Sequence, residues 1–210
     1  MTEPRIITYA EAIREAMTEE MRRDASVYFL GEDIGAYGGA FGVSRGMFDE
    51  FGAERVRDTP ISEAAIMGCA VGSAMTGLRP IVEMMFSDFT SVAYDQIVNQ
   101  AAKTRYMFGG QVTLPVTIRM PGGGGHQLGC QHSHSAEVHF VHTAGLKVVY
   151  PATPADARAL LIASIRDDNP VIFLEHEGLY NLEGDVPDEI EAGELGQAAV
   201  VREGADVSII

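Results

Sequence analysis

The sequence predicts an α/β fold in which a parallel sheet lies between two layers of helices. Three observations predict it. Strand-like and helix-like segments alternate along the 210 residues, the strands are short and apolar along their whole length, and single polar residues stand at the strand ends. A strand that is apolar at every residue has to be covered on both faces, which is the environment of a parallel sheet flanked by helices.

The first predicted element is a helix over residues 8–23, because Thr8 and Glu11 have the spacing of a capping box. The elements that follow are a strand at 27–31, a glycine-rich loop at 35–46, a short strand within 55–59, a helix at 62–76, a strand at 79–86, a helix at 89–106, strands at 114–120 and 146–151, a helix from Thr153 to Asp167 and a strand at 170–177.

The composition limits the classes of function. A net charge of −15 argues against a nucleic-acid binder, because neutralising phosphates requires clustered Lys and Arg. No apolar run approaches the roughly 20 residues of a membrane helix. Cys69 and Cys130 stand among small residues, where we expect buried free thiols and no disulfide. The prediction is a soluble cytoplasmic protein.

The chain divides into three predicted parts. Residues 1–182 form the α/β domain, and residues 183–203 turn acidic and glycine-rich, which predicts a linker. Residues 204–210 begin an apolar, strand-like run, which predicts the start of a second domain that this chain lacks.

Four polar residues stand just after, or at the ends of, predicted strands: Glu63, Asp88, His132 and Glu175. In parallel sheets, ligands bind beyond the carboxyl ends of the strands. We therefore expect these four residues near one site.

Glu63 stands at the head of DTPISEAAIMGCAVG, a run of small and apolar residues. It has two interpretations. As a helix cap in the first turn, its carboxylate would contribute about 0.3–1 kcal/mol through the free N–H groups and the helix dipole. As a partly desolvated acid beside small residues that admit a ligand, it would share a proton with a buried ligand nitrogen.

Several separated blocks carry a family resemblance: DTPISEAAIMGCAVGSAMTGLRPIVEMMFSDF, DQIVNQAAKTRYMFGG, QHSH, GLKVVYP and IRDDNPVIFLEHE. The chain resembles the beta subunit of the thiamine-diphosphate-dependent 2-oxoacid and acetoin dehydrogenases, the decarboxylating component of the pyruvate dehydrogenase type. The resemblance implies a transketolase pyrimidine-type domain over residues 1–182, followed in the family by a C-terminal transketolase-type domain.

The resemblance also implies site residues. Glu63 matches the glutamate that hydrogen-bonds the cofactor's aminopyrimidine ring, and so favours the tautomer that activates the thiazolium carbon. Phe89 matches the aromatic residue on that ring, and Ile61 and Met85 match its apolar neighbours. His132 matches the histidine of the QHS motif, which handles protons on the substrate side. Without the family, Phe89 and Met85 would be ordinary core residues.

The clustered histidines allow another interpretation. His132 with His134, and His139 with His142, have spacings that a zinc site could use, although no carboxylate or cysteine pattern completes a familiar set. His139 and His142 fall on a predicted helix, which favours packing or surface roles. The family often has Gln where this chain has His134, a departure that could tune the pKa of the site or its recognition of substrate.

The diphosphate half of the site is expected on another chain. The family's diphosphate motif, GDG followed by asparagine, is absent from these 210 residues. The resemblance therefore implies an alpha subunit that supplies most of the Mg²⁺ and diphosphate contacts, in an alpha2beta2 heterotetramer. The implied partners also include the lipoyl domain of the acyltransferase component. The implied substrate is a 2-oxoacid or acetoin.

The family also has a structural potassium ion held largely by backbone oxygens. The matching positions are Val116, Ser164, Ile165, Asp167 and Asn169. An ordinary turn that ends a helix before Pro170 would use Asp167 and Asn169 in the same way.

The leading interpretation is an oxidoreductase subunit that decarboxylates pyruvate or cleaves acetoin and transfers the acyl group to lipoamide. RYMFGG, MMFSDF and VIFLEH favour the acetoin type, whereas DTPISE and VSRG are shared with the pyruvate type. The branched-chain type usually has Tyr where this chain has Gln131, so it ranks third. A non-catalytic scaffold and a single-chain transketolase-like enzyme are further alternatives. Glu63 and His132 argue against the scaffold.

Overall fold

The computed structural model describes residues 5–189, 191–197 and 200–208. The strands are β1 (Ile6–Thr8), β2 (Val27–Gly31), β3 (Val56–Asp58), β4 (Arg79–Glu83), β5 (Thr117–Gly122), β6 (Lys147–Val149), β7 (Val171–His176) and β8 (Glu183–Asp185). The α-helices are α1 (Tyr9–Arg23), α2 (Met47–Phe51), α3 (Glu63–Met75), α4 (Ala102–Met107), α5 (Glu137–Val141) and α6 (Pro154–Arg166).

The central sheet has six strands in the order β3-β2-β4-β5-β7-β6, and every neighbouring pair is parallel. Successive strand residues belong to two different apolar clusters: Phe29 packs with α1 and α6, whereas Tyr28 and Leu30 pack with α3. Because side chains alternate between the faces of a strand, the sheet is covered on both sides. The predicted α/β fold is confirmed.

The N-cap residues of α1 and α6 both make capping hydrogen bonds. The Thr8 hydroxyl accepts a hydrogen bond from the Glu11 backbone N at 3.2 Å, and the Glu11 carboxylate accepts one from the Thr8 backbone N at 2.8 Å. Thr153 caps α6 by accepting from the Asp156 backbone N at 3.1 Å. Both helices therefore begin where the sequence predicted.

The segment after β4 differs from the prediction of a strand to residue 86 and a helix from residue 89. A 3₁₀ turn occupies Ser87–Ser91, and a π-helical stretch, Gln96–Ala101, precedes α4. Inside the turn, the Thr90 hydroxyl donates to the Ser87 carbonyl at 2.6 Å and the Ser91 hydroxyl to the Asp88 carbonyl at 3.0 Å. Such local bonds compete with regular helix, which accounts for the interruption.

A second, two-stranded sheet was not predicted. β1 pairs antiparallel with β8, and Ile7 lies opposite Gly184. The first residues of the segment predicted as a linker are therefore a strand beside α6. No helix in the part of the chain that the structure describes is both long and apolar enough to cross a membrane.

The expectation of buried thiols was wrong. Cys69 and Cys130 are free but exposed. Cys69 lies with Gly68 and Gly72 on the outward face of α3, and the core side of that helix is formed by Ile66, Met67, Ala70, Val71 and Ala74. Gly68, Cys69 and Gly72 thus mark the outer surface of α3.

A buried ion cluster joins the three middle strands. Arg119 on β5 donates to Glu83 on β4 at 2.7 Å and to both carboxylate oxygens of Glu175 on β7 at 2.6 and 2.7 Å. The Tyr180 hydroxyl also donates to Glu175, at 2.7 Å. Burial raises the pKa of the Glu83 carboxyl, although Arg119 opposes the rise. Glu175, expected at the ligand site, is instead 1% exposed and committed to this cluster.

Arg119→Met is expected to destabilise the chain by about 3–5 kcal/mol, because removing one partner of a buried ion cluster leaves uncompensated charge. The control is Arg22→Met, which breaks an exposed pair with Glu50 and should cost about 0–1 kcal/mol. Urea unfolding followed by circular dichroism measures both. Equal, small losses would contradict the assignment of Arg119 as the compensating charge.

Candidate functional site

The site lies at the edge of the sheet where the parallel strands end, called the carboxyl edge below. Glu32 follows β2, and the turn of residues 84–89 follows β4. The glycine-rich loop of residues 123–132 follows β5. These strands are neighbours in the sheet. The segments that carry polar and aromatic side chains therefore meet at one edge.

Glu63 is the first residue of α3 and is only 6% exposed. No group among the described residues hydrogen-bonds its carboxylate, and the Ser62 side chain makes no capping bond. The free N–H groups of the first turn favour a negative charge at this position. Glu63 is therefore a buried acid in the first turn whose carboxylate has hydrogen-bonding capacity to spare, which agrees with both interpretations of its sequence context.

Glu32 accompanies Glu63 and is equally buried, at 6% exposure. Burial raises the pKa of the Glu32 carboxyl, and the negative charges of Glu63, Asp33 and Glu83 raise it further. Like charges in a poorly solvated place make the ionisation of Glu32 less favourable. The sequence analysis missed Glu32, although its place directly after an apolar strand is the signal that singled out the others.

His132 is half-buried between two aromatic side chains. Its ring meets Phe86 at a centroid distance of 4.8 Å and Phe89 at 5.3 Å, edge to face in both cases. Phe89 and Met85 are themselves half-buried, whereas Ile61 is 83% exposed. The structure thus brings the predicted residues Phe89 and His132 together, and it leaves Ile61 on the surface before α3.

The remaining histidines form separate contacts. The His134 Nδ1 atom lies 3.2 Å from Asp88 Oδ1, His139 meets the Tyr94 ring at 6.5 Å and His126 meets the His176 ring at 6.3 Å. Within the described ranges, no group of three His, Cys, Asp or Glu residues could hold a metal ion. The zinc interpretation therefore has no geometric support.

Glu177 is a second residue that the sequence analysis missed. It follows β7, is 6% exposed, and neither carboxylate oxygen has a hydrogen-bond partner among the described residues. Burial raises the pKa of its carboxyl, and His126 and His132 oppose the rise. The carboxyl edge therefore holds a further acid near His126 and His132.

The residues predicted for potassium meet at the opposite edge of the sheet. Their carbonyl oxygens already accept protein donors: Ile165 and Asp167 from Arg79 at 2.9 and 2.8 Å, and Val116 from the backbone of Val171 at 2.9 Å. Ser164 accepts from the backbone of Asp167 at 3.3 Å. The Asn169 side chain bonds Asp167 and Arg105. This turn is remote from the carboxyl edge.

Residues 5–183 match the family model described as "Transketolase, pyrimidine binding domain". The structure is also similar to that of a "Split gene transketolase, inactive beta4 tetramer", with a TM-score of 0.73 over 94% of this chain and 60% of that one. The sequence identity to that structure is 22%, so this likeness bears on the fold alone.

Curated relatives agree with the family model. The chain is 51% identical to the "Acetoin:2,6-dichlorophenolindophenol oxidoreductase subunit beta" of Cupriavidus necator, over 95% of this chain and 62% of the relative. It is 49% identical to the "Pyruvate dehydrogenase E1 component subunit beta" of Rickettsia felis, over 97% and 63%. The "2-oxoisovalerate dehydrogenase subunit beta" of Bacillus subtilis is 46% identical over 98% and 63%. The chain thus spans less than two thirds of the length of these relatives.

Glu32→Gln is expected to change how stability depends on pH. A carboxyl whose pKa is raised by folding contributes stability that is fully present below its unfolded pKa, near 4.5, and is lost as the pH rises through the folded pKa. The variant should therefore be more stable than the parent at neutral pH, and this gain should vanish below about pH 4. Urea unfolding at a series of pH values measures the difference.

Glu50→Gln is the control with the opposite sign. A side-chain hydrogen bond from Arg22 lowers the pKa of the Glu50 carboxyl, so its contribution is present above the unfolded pKa and lost as the pH falls. This variant should be less stable than the parent at neutral pH and approach it in acid. If Glu32→Gln followed the same course, the raised pKa of Glu32 would be disproved.

Proposed function

The chain belongs to the transketolase pyrimidine-binding domain family, and we propose that it forms the pyrimidine half of a thiamine-diphosphate site in the beta subunit of a pyruvate or acetoin dehydrogenase. The observation that carries this proposal is Glu63, a buried carboxyl without a protein hydrogen-bond partner in the described chain. The names of the relatives support an oxidoreductase that acts on acetoin or pyruvate, and we assign lipoamide as the acceptor of the acyl group.

The residues present fit this cofactor in two respects. Glu63 offers a carboxyl that can share a proton with a ring nitrogen, and its burial keeps water from competing for that proton. Phe89 and Met85 offer half-buried apolar surface to an aromatic ring, and the exposed Ile61 would become covered. Thiamine diphosphate supplies, when bound, the nucleophilic carbon that the reaction requires.

We assign separate proton-transfer roles to Glu63, Glu32 and His132. Glu63 holds a proton toward the ring nitrogen, and Glu32, whose pKa is raised by burial and by the charge of Glu63, is its proton-exchange neighbour. His132 donates and accepts a proton on the substrate side, a role that imidazole can fill near neutral pH. Its edge-to-face contacts with Phe86 and Phe89 orient the ring.

We assign the diphosphate and Mg²⁺ contacts to an alpha subunit, with an alpha2beta2 assembly and a lipoyl domain as acyl acceptor. The support on this chain is α3, whose outward face carries Gly68, Cys69 and Gly72 directly after Glu63. A Cβ atom added at either glycine would meet nothing within 4 Å, so the face is open to another backbone. A partner that packs there would enclose the Glu63 side of the site.

We also propose potassium for the turn formed by Ser164, Ile165, Asp167 and Asn169 with Val116. A carbonyl oxygen has two lone pairs, so an oxygen that accepts from Arg79 can still face a cation. Asp167 adds a carboxylate, and hydrogen bonds from Lys147 and Asn169 lower its pKa against the effect of burial. The ion would brace the turn between α6 and β7.

Glu63→Gln, in the full-length chain assembled with its partner, is expected to lower turnover of pyruvate or acetoin by about 10²–10⁴-fold, because an amide cannot exchange the proton. Assembly, measured by size-exclusion chromatography, should be unchanged. Glu50→Gln, an exposed replacement of the same chemistry, is the control. Near-normal turnover of Glu63→Gln would disprove the assignment of Glu63 as the acid that shares a proton with the cofactor.

Calorimetry of thiamine diphosphate with Mg²⁺ tests the split site independently of turnover. Binding is expected only when the full-length chain and its partner are mixed. Tight binding to the full-length chain alone would mean that the diphosphate contacts lie on this chain. The absence of binding to the mixture would favour a non-catalytic scaffold.

Replacing choline by potassium at equal ionic strength should raise the midpoint of thermal unfolding, by about 2–4 °C for each kcal/mol of binding free energy. Sodium serves as the control for ion size. Equal midpoints in all three salts would show that Arg79 and Lys147 complete the turn without a bound ion.

A further inference from the structure

The loop that carries His132 is anchored to one buried carboxylate, that of Asp88. Asp88 lies in the 3₁₀ turn after β4, and its side chain is 3% exposed. Its Oδ1 atom accepts a hydrogen bond from the Ser133 backbone N at 3.3 Å and lies 3.2 Å from His134 Nδ1. The two residues that directly follow His132 are therefore both held by the same atom.

The turn that provides this anchor also provides the ring contacts of His132. Phe86 and Phe89, on either side of Asp88, meet the imidazole edge to face. The Ser87 hydroxyl lies 3.4 Å from Asp88 Oδ2 and 3.5 Å from the His134 carbonyl, so it joins the carboxylate to the loop. Residues 86–89 thus fix both the backbone beside His132 and the plane of its ring.

The rest of the loop offers little restraint. Residues 124–131 are exposed, and Gly123, Gly125 and Gly129 adopt positive φ angles. The Gly123 backbone N donates to the His134 carbonyl at 2.9 Å, which closes the base of the loop. A glycine-rich segment has many conformations to lose, so the few fixed contacts decide where His132 stands.

We propose that Asp88 is a positioning residue for His132 and that the His134 side chain, 3.2 Å from the Asp88 carboxylate, supports it. The inference rests on the proposed function, since it assumes that His132 handles protons on the substrate side. Asp88 reaches the reacting atoms through His132 and does not itself touch them. A displacement of about 1 Å of a catalytic group can cost about 10²-fold in rate, so a single carboxylate at the loop's base can control turnover.

The choice of variants separates the hydrogen bond that Asp88 accepts from Ser133 from its contact with His134. Asp88→Ala removes both and should lower kcat by about 10²-fold, with KM changed much less. Asp88→Asn keeps an acceptor for the Ser133 backbone N but loses the charge that faces His134, so its loss should be smaller. His134→Ala should lower kcat, and His134→Gln, which retains a hydrogen-bond donor, should recover most of that loss. Asp95→Ala, an exposed aspartate on the next segment, should behave like the parent.

A measurement independent of turnover reports the position of His132 directly. These 210 residues contain six histidines; when the histidine Cε1 atoms of the full-length chain are labelled with ¹³C, His132→Ala identifies the NMR signal of His132. In the full-length chain assembled with its partner, Asp88→Ala and His134→Ala should shift or broaden that signal. Asp95→Ala should leave it unchanged.

The outcomes distinguish this inference from the proposed function. If His132→Ala is inactive while Asp88→Ala and Asp88→Asn turn over like Asp95→Ala with an unmoved His132 signal, the inference is overturned and the proposed function stands. If His132→Ala retains full turnover, both are overturned. If Asp88→Ala does not assemble, Asp88→Asn and the His134 pair decide the question by the same two readouts. Loss of kcat with a moved His132 signal, recovered in His134→Gln, supports the inference.

Discussion

Arg119 has its charge wholly removed from water at the centre of the sheet, and the arrangement of the site depends on how that charge is compensated. Glu83 stands beside it on β4, and Glu175 lies on β7, opposite the second residue after Arg119 along β5. A slip of either strand by one residue would move a carboxylate to the other face of the sheet and leave the guanidinium unpaired. The cluster therefore favours one register for three strands, and the site segments depart from the ends of those same strands.

In the part of the chain that the structure describes, the buried acids at the carboxyl edge lack the charge compensation that the buried acids of the core have. Glu32, Glu63 and Glu177 are each 6% exposed, and the described residues provide no cation at hydrogen-bonding distance from their carboxylates, whereas Glu83 and Glu175 share a buried arginine. Burial raises the pKa of Glu32 and of Glu177, which costs stability at neutral pH. Carboxyls with a raised pKa are typical of sites that transfer protons, so the stability that Glu32 and Glu177 cost is consistent with a catalytic site.

Local sequence patterns predicted the parts of the fold that local physics determines. The capping box at Thr8 and Glu11, the fully apolar strands and the small-residue helix all appeared close to their predicted bounds. The 3₁₀ turn at Ser87–Ser91 depends on competition between side-chain and backbone hydrogen bonds, and β8 depends on pairing with a strand near the other end of the described chain. Neither leaves a periodic signal. Among the site residues, Glu63 was visible as a carboxylate among small residues, whereas the ties of Asp88 to Ser133 and His134 join segments about 45 residues apart and emerge only when β4 and β5 are adjacent.

The site combines a glycine-rich loop, which carries His132, with a fixed turn, which carries Asp88. A histidine that serves the substrate side needs a loop with room for substrate, and glycines provide that freedom at the cost of entropy in holding any one conformation. The restraint has to come from a neighbour that does not move. Asp88 is such a neighbour, because the turn that bears it begins only a few residues after Glu83, which Arg119 fixes to the middle of the sheet. The position of His132 thus depends on the buried arginine through β4 and Asp88, and under the proposed function this restraint acts at the residue whose displacement would slow proton transfer.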